Sequence, residues 1–218
     1  MKKEIVNIIQ KLSGRYSAYE IFSDWIAMST LSFQNSCQLI HNQIWQKREA
    51  QYMDITRKYS PEELQLFVRM LAELMDAFEN EGLTDYLGEI YMESGCGSKT
   101  TGQFFTPFHL SCLTAEAGLP NDISEENPVL LNEPSTGGGG MIIAAAKVLK
   151  DRGLNYQRCM EVVAQDLDWK GVYMTYLQLS ILGIKATVVQ GNTLMEPYGK
   201  GYPAERVFRT PAKMGILL

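Results

Sequence analysis

Leu130-Leu131-Asn132-Glu133-Pro134-Ser135-Thr136-Gly137-Gly138-Gly139-Gly140-Met141 sets an apolar run, an acid and four glycines directly ahead of a helical pattern. Val129 to Leu131 reads as a buried strand, and Ile142 to Leu149 as a helix. Glycines let a backbone turn sharply and let a ligand approach the main chain with no Cβ in the way. Strand, acid, glycines and helix in that order make a nucleotide-type cofactor loop. The alternative is a plain glycine-rich surface turn.

The spacing narrows the ligand. Glu133, Gly137 and Gly139 form acid-x-x-x-Gly-x-Gly, with the acid ahead of the glycines. A dinucleotide fingerprint has its acid about 20 residues after them, and a phosphate loop needs a Lys after its last glycine. Neither pattern is present. An acid at a strand tip suits a ligand bearing an ammonium group, and S-adenosylmethionine (SAM) has one on its methionine end.

Downstream the pattern alternates. Cys159 to Ala164 is a second apolar strand followed by Gln165-Asp166-Leu167-Asp168; Lys170 to Leu182 is a helix ended by Gly183. Ile184 to Gln190 is a third strand, followed by Gly191-Asn192-Thr193-Leu194, and Val207-Phe208 offers a fourth. Strands alternating with helices imply a parallel sheet whose ligands bind at the strand C-terminal ends. All three informative loops fall at such ends. Asp166 is placed to accept hydrogen bonds from ribose hydroxyls; the alternative is a solvated acid in a turn, a role that suits Asp168 better. Asn192 has the donor and acceptor to meet an adenine edge, or it shapes a turn. Upstream, Thr106 reads as the cap of a helix over Pro107 to Ala117, with Pro107 at its first position.

The first 95 residues read as a helical bundle with a packing role. Ile5, Ile8, Ile9 and Leu12 fit a short helix, Ile21 to Met28 the face of a second, and His41 to Lys58 a more polar third. Ser60, Pro61 and Glu63 form a capping box for a helix over Pro61 to Asn80, with Leu64, Phe67, Val68, Leu71, Leu74, Met75 and Phe78 as its stripe. Asp85 to Glu93 is a short fifth helix. Trp25 and Trp45 read as core, and His41 as a surface residue. Ser94 to Gly102 is the linker, so the expected domains are 1–95, helical, and 96–218, α/β.

Apolar content of 45% and charged content of 21% suit a folded globular chain. No apolar run approaches the roughly 18 residues of a membrane span, and no signal core follows Met1-Lys2-Lys3-Glu4, which points to the cytoplasm. Cys37, Cys96, Cys112 and Cys159 form no Cys-x-x-Cys pair, which argues against structural zinc. A net charge of −5 with no basic half weighs against strong DNA binding by this chain alone.

Gly102-Gln103-Phe104-Phe105-Thr106-Pro107 resembles the Gly-Gln-Phe-Phe-Thr-Pro signature of N6-adenine DNA methyltransferases, above all the modification subunit of type I restriction systems. Tyr86-Leu87-Gly88-Glu89-Ile90-Tyr91, Glu133 to Gly139, Gln165-Asp166 and Gly191 to Leu194 resemble further segments of that family, in order, over residues 84 to 196. The resemblance implies a Rossmann-like SAM-dependent methyltransferase domain, here partial, after the helical bundle. It implies that Phe105, Thr106 and Pro107 line the methionine end of SAM. It implies too that Glu133 and the backbone of Gly137 and Gly139 hold the amino acid part, that Asp166 holds the ribose and that Asn192 sits near the adenine, with Pro134, Ser135 and Leu167 as further cofactor-binding positions. DNA is the implied substrate, and a second copy or other restriction-modification subunits the implied partners.

One segment departs from the family. Its catalytic Asn/Asp-Pro-Pro-aromatic tetrapeptide, which holds the flipped base, should follow shortly after Leu194. Met195-Glu196-Pro197-Tyr198 and Arg209-Thr210-Pro211-Ala212 are the nearest approaches, and neither matches. No catalytic residue is therefore assigned. The chain reads as the SAM-binding part of a methyltransferase completed by another chain, as a non-catalytic SAM-binding or regulatory module, or, least well, as a structural relic. The edge of the last strand should be covered by the 199–218 tail or by a second copy.

Overall fold

The computed structural model describes residues 1–96 and 105–216. Most of the Ser94 to Gly102 linker, Gly102-Gln103-Phe104 of the signature, and Leu217 and Leu218 lie outside the described residues. The chain forms two compact units, one of Met1–Gly82 with Tyr86–Phe104, the other of Leu83–Asp85 with Phe105–Leu218. The second unit thus takes three residues from inside the stretch read as helical bundle.

The first unit is helical: α1 (Lys2–Leu12), α2 (Ala18–Ser36), α3 (Gln43–Thr56), α4 (Pro61–Asn80) and α5 (Tyr86–Glu93). Ser60 accepts from the Glu63 N–H while Glu63 accepts from the Ser60 N–H, so the capping box fixes the start of α4. Its buried face is Phe67, Met70, Leu74, Ala77 and Phe78, whereas Val68 and Met75 are exposed. The stripe read from the sequence is therefore rotated toward Met70. Trp25 is fully buried, with its Nε1 donating to the Phe67 carbonyl at 3.1 Å. Phe22 packs between it and Tyr91, with ring centroids 6.0 and 5.5 Å away.

The second unit holds α6 (Phe108–Gly118), β1 (Val129–Glu133), α7 (Gly140–Asp151), the short α8 (Tyr156–Cys159), β2 (Met160–Asp166), α9 (Trp169–Ile181), β3 (Lys185–Gln190) and β4 (Val207–Arg209). The sheet order is β1-β2-β3-β4, with the first three strands parallel and β4 antiparallel to β3. Helical crossovers between parallel neighbours leave the β1, β2 and β3 C-terminal ends at one rim. Two expectations change. Thr106 does not cap α6: Pro107 occupies the N-cap position and no side-chain bond closes it. β1 is not a buried strand: Leu130 is 77% exposed, because β1 is the outermost strand and pairs only with β2.

The opposite side of the sheet is covered, by β4 from the 199–218 tail. Phe208 is 1% exposed and meets the rings of Tyr173 and Tyr176 of α9 at 5.8 and 5.6 Å. The buried Thr210 hydroxyl donates to the Ile184 carbonyl and accepts from the Ala186 N–H, so one side chain finishes the β3 edge. No helix among the described residues is long and apolar enough to cross a membrane.

Candidate functional site

The loops after β1, β2 and β3 are tied to one another by hydrogen bonds. Asp166, the last residue of β2, accepts the Gly137 N–H through Oδ2 at 2.7 Å and the Asp168 N–H through Oδ1 at 2.9 Å. The Gly191 N–H donates to the Asp166 carbonyl at 2.8 Å, and the Thr193 hydroxyl to the Pro134 carbonyl at 2.6 Å. Polyglycine bend, second-strand acid and third loop therefore form one cluster. Burial pushes the Asp166 carboxyl above its ordinary value, against the two N–H bonds that hold it down. Each of its oxygens keeps a second acceptor position for a ligand hydroxyl.

The glycines are required by close neighbours. A Cβ on Gly137 would stand 2.9 Å from the Phe105 ring, so that ring packs directly on the loop backbone. Gly139 has φ +91°, a left-handed conformation, and serves as N-cap of α7 with no side-chain cap bond. The first N–H groups of α7 are thus available as donors, at the helix end that favours negative charge. Glu133 accepts the Ser135 N–H on Oε1 at 3.3 Å, and its Oε2 has no partner among the described residues. A carboxylate oxygen, an uncapped helix start and a half-buried second carboxylate match an amino acid zwitterion joined to a ribose. The donor set therefore fits SAM.

The other residues singled out in the sequence fall around this cluster with different parts. Pro134 and Ser135 are exposed on the first loop, Thr106 and Pro107 are exposed beside Phe105 in the chain, and Leu167 is 66% exposed after Asp166. The Leu167 carbonyl accepts from Gln190 Nε2 at 2.8 Å. Asn192 shapes its turn: Oδ1 accepts from the Leu194 and Met195 N–H groups at 3.0 and 3.3 Å. That geometry leaves its Nδ2 as a donor with no partner among the described residues. Asp168 caps α9 and pairs with the buried Lys170 at 3.4 Å. Gln165, 3% exposed, turns inward, with Nε2 donating to the Glu196 carbonyl and Oε1 accepting the Tyr198 N–H. The Met195 to Tyr198 segment is therefore anchored to β2, with the Tyr198 ring against Tyr202 at 5.6 Å.

Three residues that sequence reading passed over support the loop from beneath. Gln178 of α9 donates through Nε2 to the Gly138 carbonyl at 2.7 Å and to Asp85 Oδ1 at 2.8 Å, with both side chains buried. Asp85 fills the space where Gly138 or Gly140 would carry a Cβ, at 2.8 and 3.0 Å. Thr175 donates to the Gly137 carbonyl at 3.0 Å and contacts the Thr136 hydroxyl at 3.1 Å. A fourth, Gly171, leaves room for the Asp166 carboxylate, which a Cβ would approach to 2.8 Å. Gly171 had a readable signal, a glycine inside a helical pattern. Asp85 and Gln178 had none, because their partners are remote in sequence.

Against known families, residues 84–211 match the model of the N-6 DNA Methylase family, more than half of the chain. Among solved structures, the chain is similar to the type I restriction-modification system methyltransferase subunit from Streptococcus thermophilus, with 12% identity and a TM-score of 0.46. The match covers 93% of this chain and 59% of that one. It is also similar to a protein from Listeria monocytogenes described as a class I S-adenosylmethionine-dependent methyltransferase, with 9% identity, a TM-score of 0.46, and coverage of 88% and 54%. The chain thus spans little more than half the length of either structure. No curated protein matches it.

Proposed function

Because the chain belongs to the N-6 DNA methylase family, whose cofactor is SAM, we propose that it is the SAM-holding part of an adenine-N6 DNA methyltransferase and acts with a partner chain. The observation that carries this is the bond from the Gly137 N–H to Asp166 Oδ2, with Phe105 against the same glycine. It joins the first loop to the end of β2, and the Gly191 N–H on the Asp166 carbonyl adds the third.

In this reading Glu133 takes the ammonium, the uncapped start of α7 and the Gly137–Gly139 backbone take the carboxylate, and Asp166, beside Leu167, takes the ribose hydroxyls. Asn192 offers its Nδ2 to the adenine edge. Phe105, Thr106 and Pro107 wall the methionine end, with Pro134 and Ser135 at the outer lip. Bound SAM would supply an electrophilic methyl group on its sulfonium. The residues of this chain orient that group and keep water from one side of it. The Asn/Asp-Pro-Pro-aromatic segment that grips a flipped adenine would come from the partner, either another restriction-modification subunit or a second chain of related kind. With a net charge of −5, most of the grip on DNA phosphates would come from that partner as well.

Calorimetry with SAM tests the site. Wild type should bind; Asp166→Ala should lose tenfold or more, and Gly139→Val, which adds a β-branched side chain at a left-handed position, should lose binding. Wild type that leaves SAM unbound would end the reading. Transfer of a labelled methyl group to adenine-containing DNA separates the two remaining roles. Transfer that appears only with a partner supports a split enzyme, and none under any pairing supports a regulatory SAM-binding module.

A further inference from the structure

We propose that the cavity at the C-terminal end of α2, against α3, binds the head group of an organic cation, a guanidinium or a primary ammonium. The cavity measures about 360 Å³, and Asn35, Gln38, His41, Trp45, Glu49 and Tyr52 are among its lining residues. It lies wholly within the helical unit.

Asn35 carries the argument. It is 7% exposed, and its Nδ2 donates to Glu49 Oε2 at 3.1 Å and to the Trp45 carbonyl at 3.4 Å. Two acceptors on the nitrogen fix which way the amide points. Its Oδ1 is then a buried acceptor with no partner among the described residues, and Gln38 Oε1 is a second. Buried polar atoms are rarely left so, and an unmet acceptor calls for a donor. Glu49 adds a negative charge, and no Lys or Arg is among the lining residues. Arg48, although buried on α3, is not one of them.

The remaining walls suit the same ligand. The cavity stands at the end of a 19-residue helix, where the backbone dipole is negative. The Trp45 Nε1 donor is already used by the Asn35 carbonyl at 3.2 Å. The His41 ring is stacked on the Trp45 ring at 3.8 Å and 10°, which makes an aromatic slab. Orphan acceptors, a carboxylate and π faces complement a group that is all donors and positive charge. A free amine such as agmatine and an arginine side chain of a docking protein present that same group. Leu39 and Ile40 lie in the chain between two lining residues, 99% and 77% exposed, and would give apolar neighbours of such an arginine a surface.

The test follows the indole N–H signals of the full ¹⁵N-labelled chain by NMR, with Trp45 assigned through Trp45→Phe. Agmatine should move the Trp45 signal and leave those of Trp25 and Trp169 in place. Glu49→Gln, which keeps an acceptor for Asn35, should weaken agmatine about tenfold, the loss of one charge-assisted hydrogen bond. Tetramethylammonium, charged but without an N–H, should leave the signal unmoved. Acetyl-Leu-Arg-Leu-amide binding at least tenfold tighter than agmatine assigns the site to a protein side chain, and equal affinity assigns it to a free small cation. The proposal is overturned if neither probe moves the signal. It is overturned equally if Glu49→Gln and Asn35→Leu, each with an unshifted Trp25 signal, bind as wild type does.

Discussion

At Asp166, burial raises the carboxyl above its ordinary value while two backbone N–H groups favour its charged form. A ribose would donate further hydrogen bonds to the charged form, so binding should lower this pKa. By linkage, SAM affinity then falls as acidification protonates the free protein. The fall should set in above the ordinary aspartate range, because burial raises this carboxyl, and Asp166→Asn should remove it. Calorimetry across about pH 4 to 7 reads both slopes; parallel slopes in the two proteins would remove Asp166 from the ribose. The positions of Glu133 and Asp166 were legible because each ends a short strand, and that of Gly137 because four consecutive glycines mark the bend beyond the first. Asn192 was legible as a position and ambiguous as a role, since one amide both builds its turn and offers a donor. Asp85 and Gln178 were illegible, because a hydrogen bond spanning 93 residues leaves no local pattern.

Helix α4 was readable to the residue because its start is written in side chains, Ser60, Pro61 and Glu63. Its buried face was less so, since amphipathicity fixes a stripe only to within a residue and tertiary packing chose Met70 over Val68. Strand β1 misled more, because an apolar run carries no mark of whether a neighbour exists on both sides. Between elements, Gln178 is the pin that joins α9 to the glycine loop. Replacing it with Leu removes one donor from Asp85 Oδ1 and one from the Gly138 carbonyl in a buried place. The expected loss is about 2–3 kcal/mol, measured by urea unfolding, with SAM affinity falling in the same variant. A loss within about 0.5 kcal/mol, the range of ordinary surface substitutions, would mean that the loop stands without it.

For the whole molecule, the sheet ends on one side in β4 and on the other in β1, an edge with no partner strand among the described residues. Leu130 on β1 is 77% exposed, and Leu110 and Leu113 of α6 are 45% and 68% exposed. A parallel sheet is ordinarily covered on both faces, and a bare apolar edge invites pairing with another chain. The chain alone should therefore self-associate as concentration rises, and Leu130→Lys should hold it monomeric in sedimentation runs. Equal sedimentation of the two proteins at every concentration would show the edge to be inert. The absence of the Asn/Asp-Pro-Pro-aromatic segment was legible from residue order alone. That β4 would run antiparallel to β3 was not, because a short apolar pair such as Val207-Phe208 carries no mark of direction.

The backbone enters the α/β unit at Leu83–Asp85, leaves it for α5, and returns at Phe105. Asp85 is thus stitched beneath the glycine bend ahead of the rest of that unit. A fragment begun at residue 105 would lack the carboxylate that Gln178 grips and that fills the space beside Gly138 and Gly140. Asp85 and the glycine bend belong to one unit although residues 86–104 of the other run between them in the chain, so a cut placed anywhere from 86 to 104 would part a brace from the turn it holds.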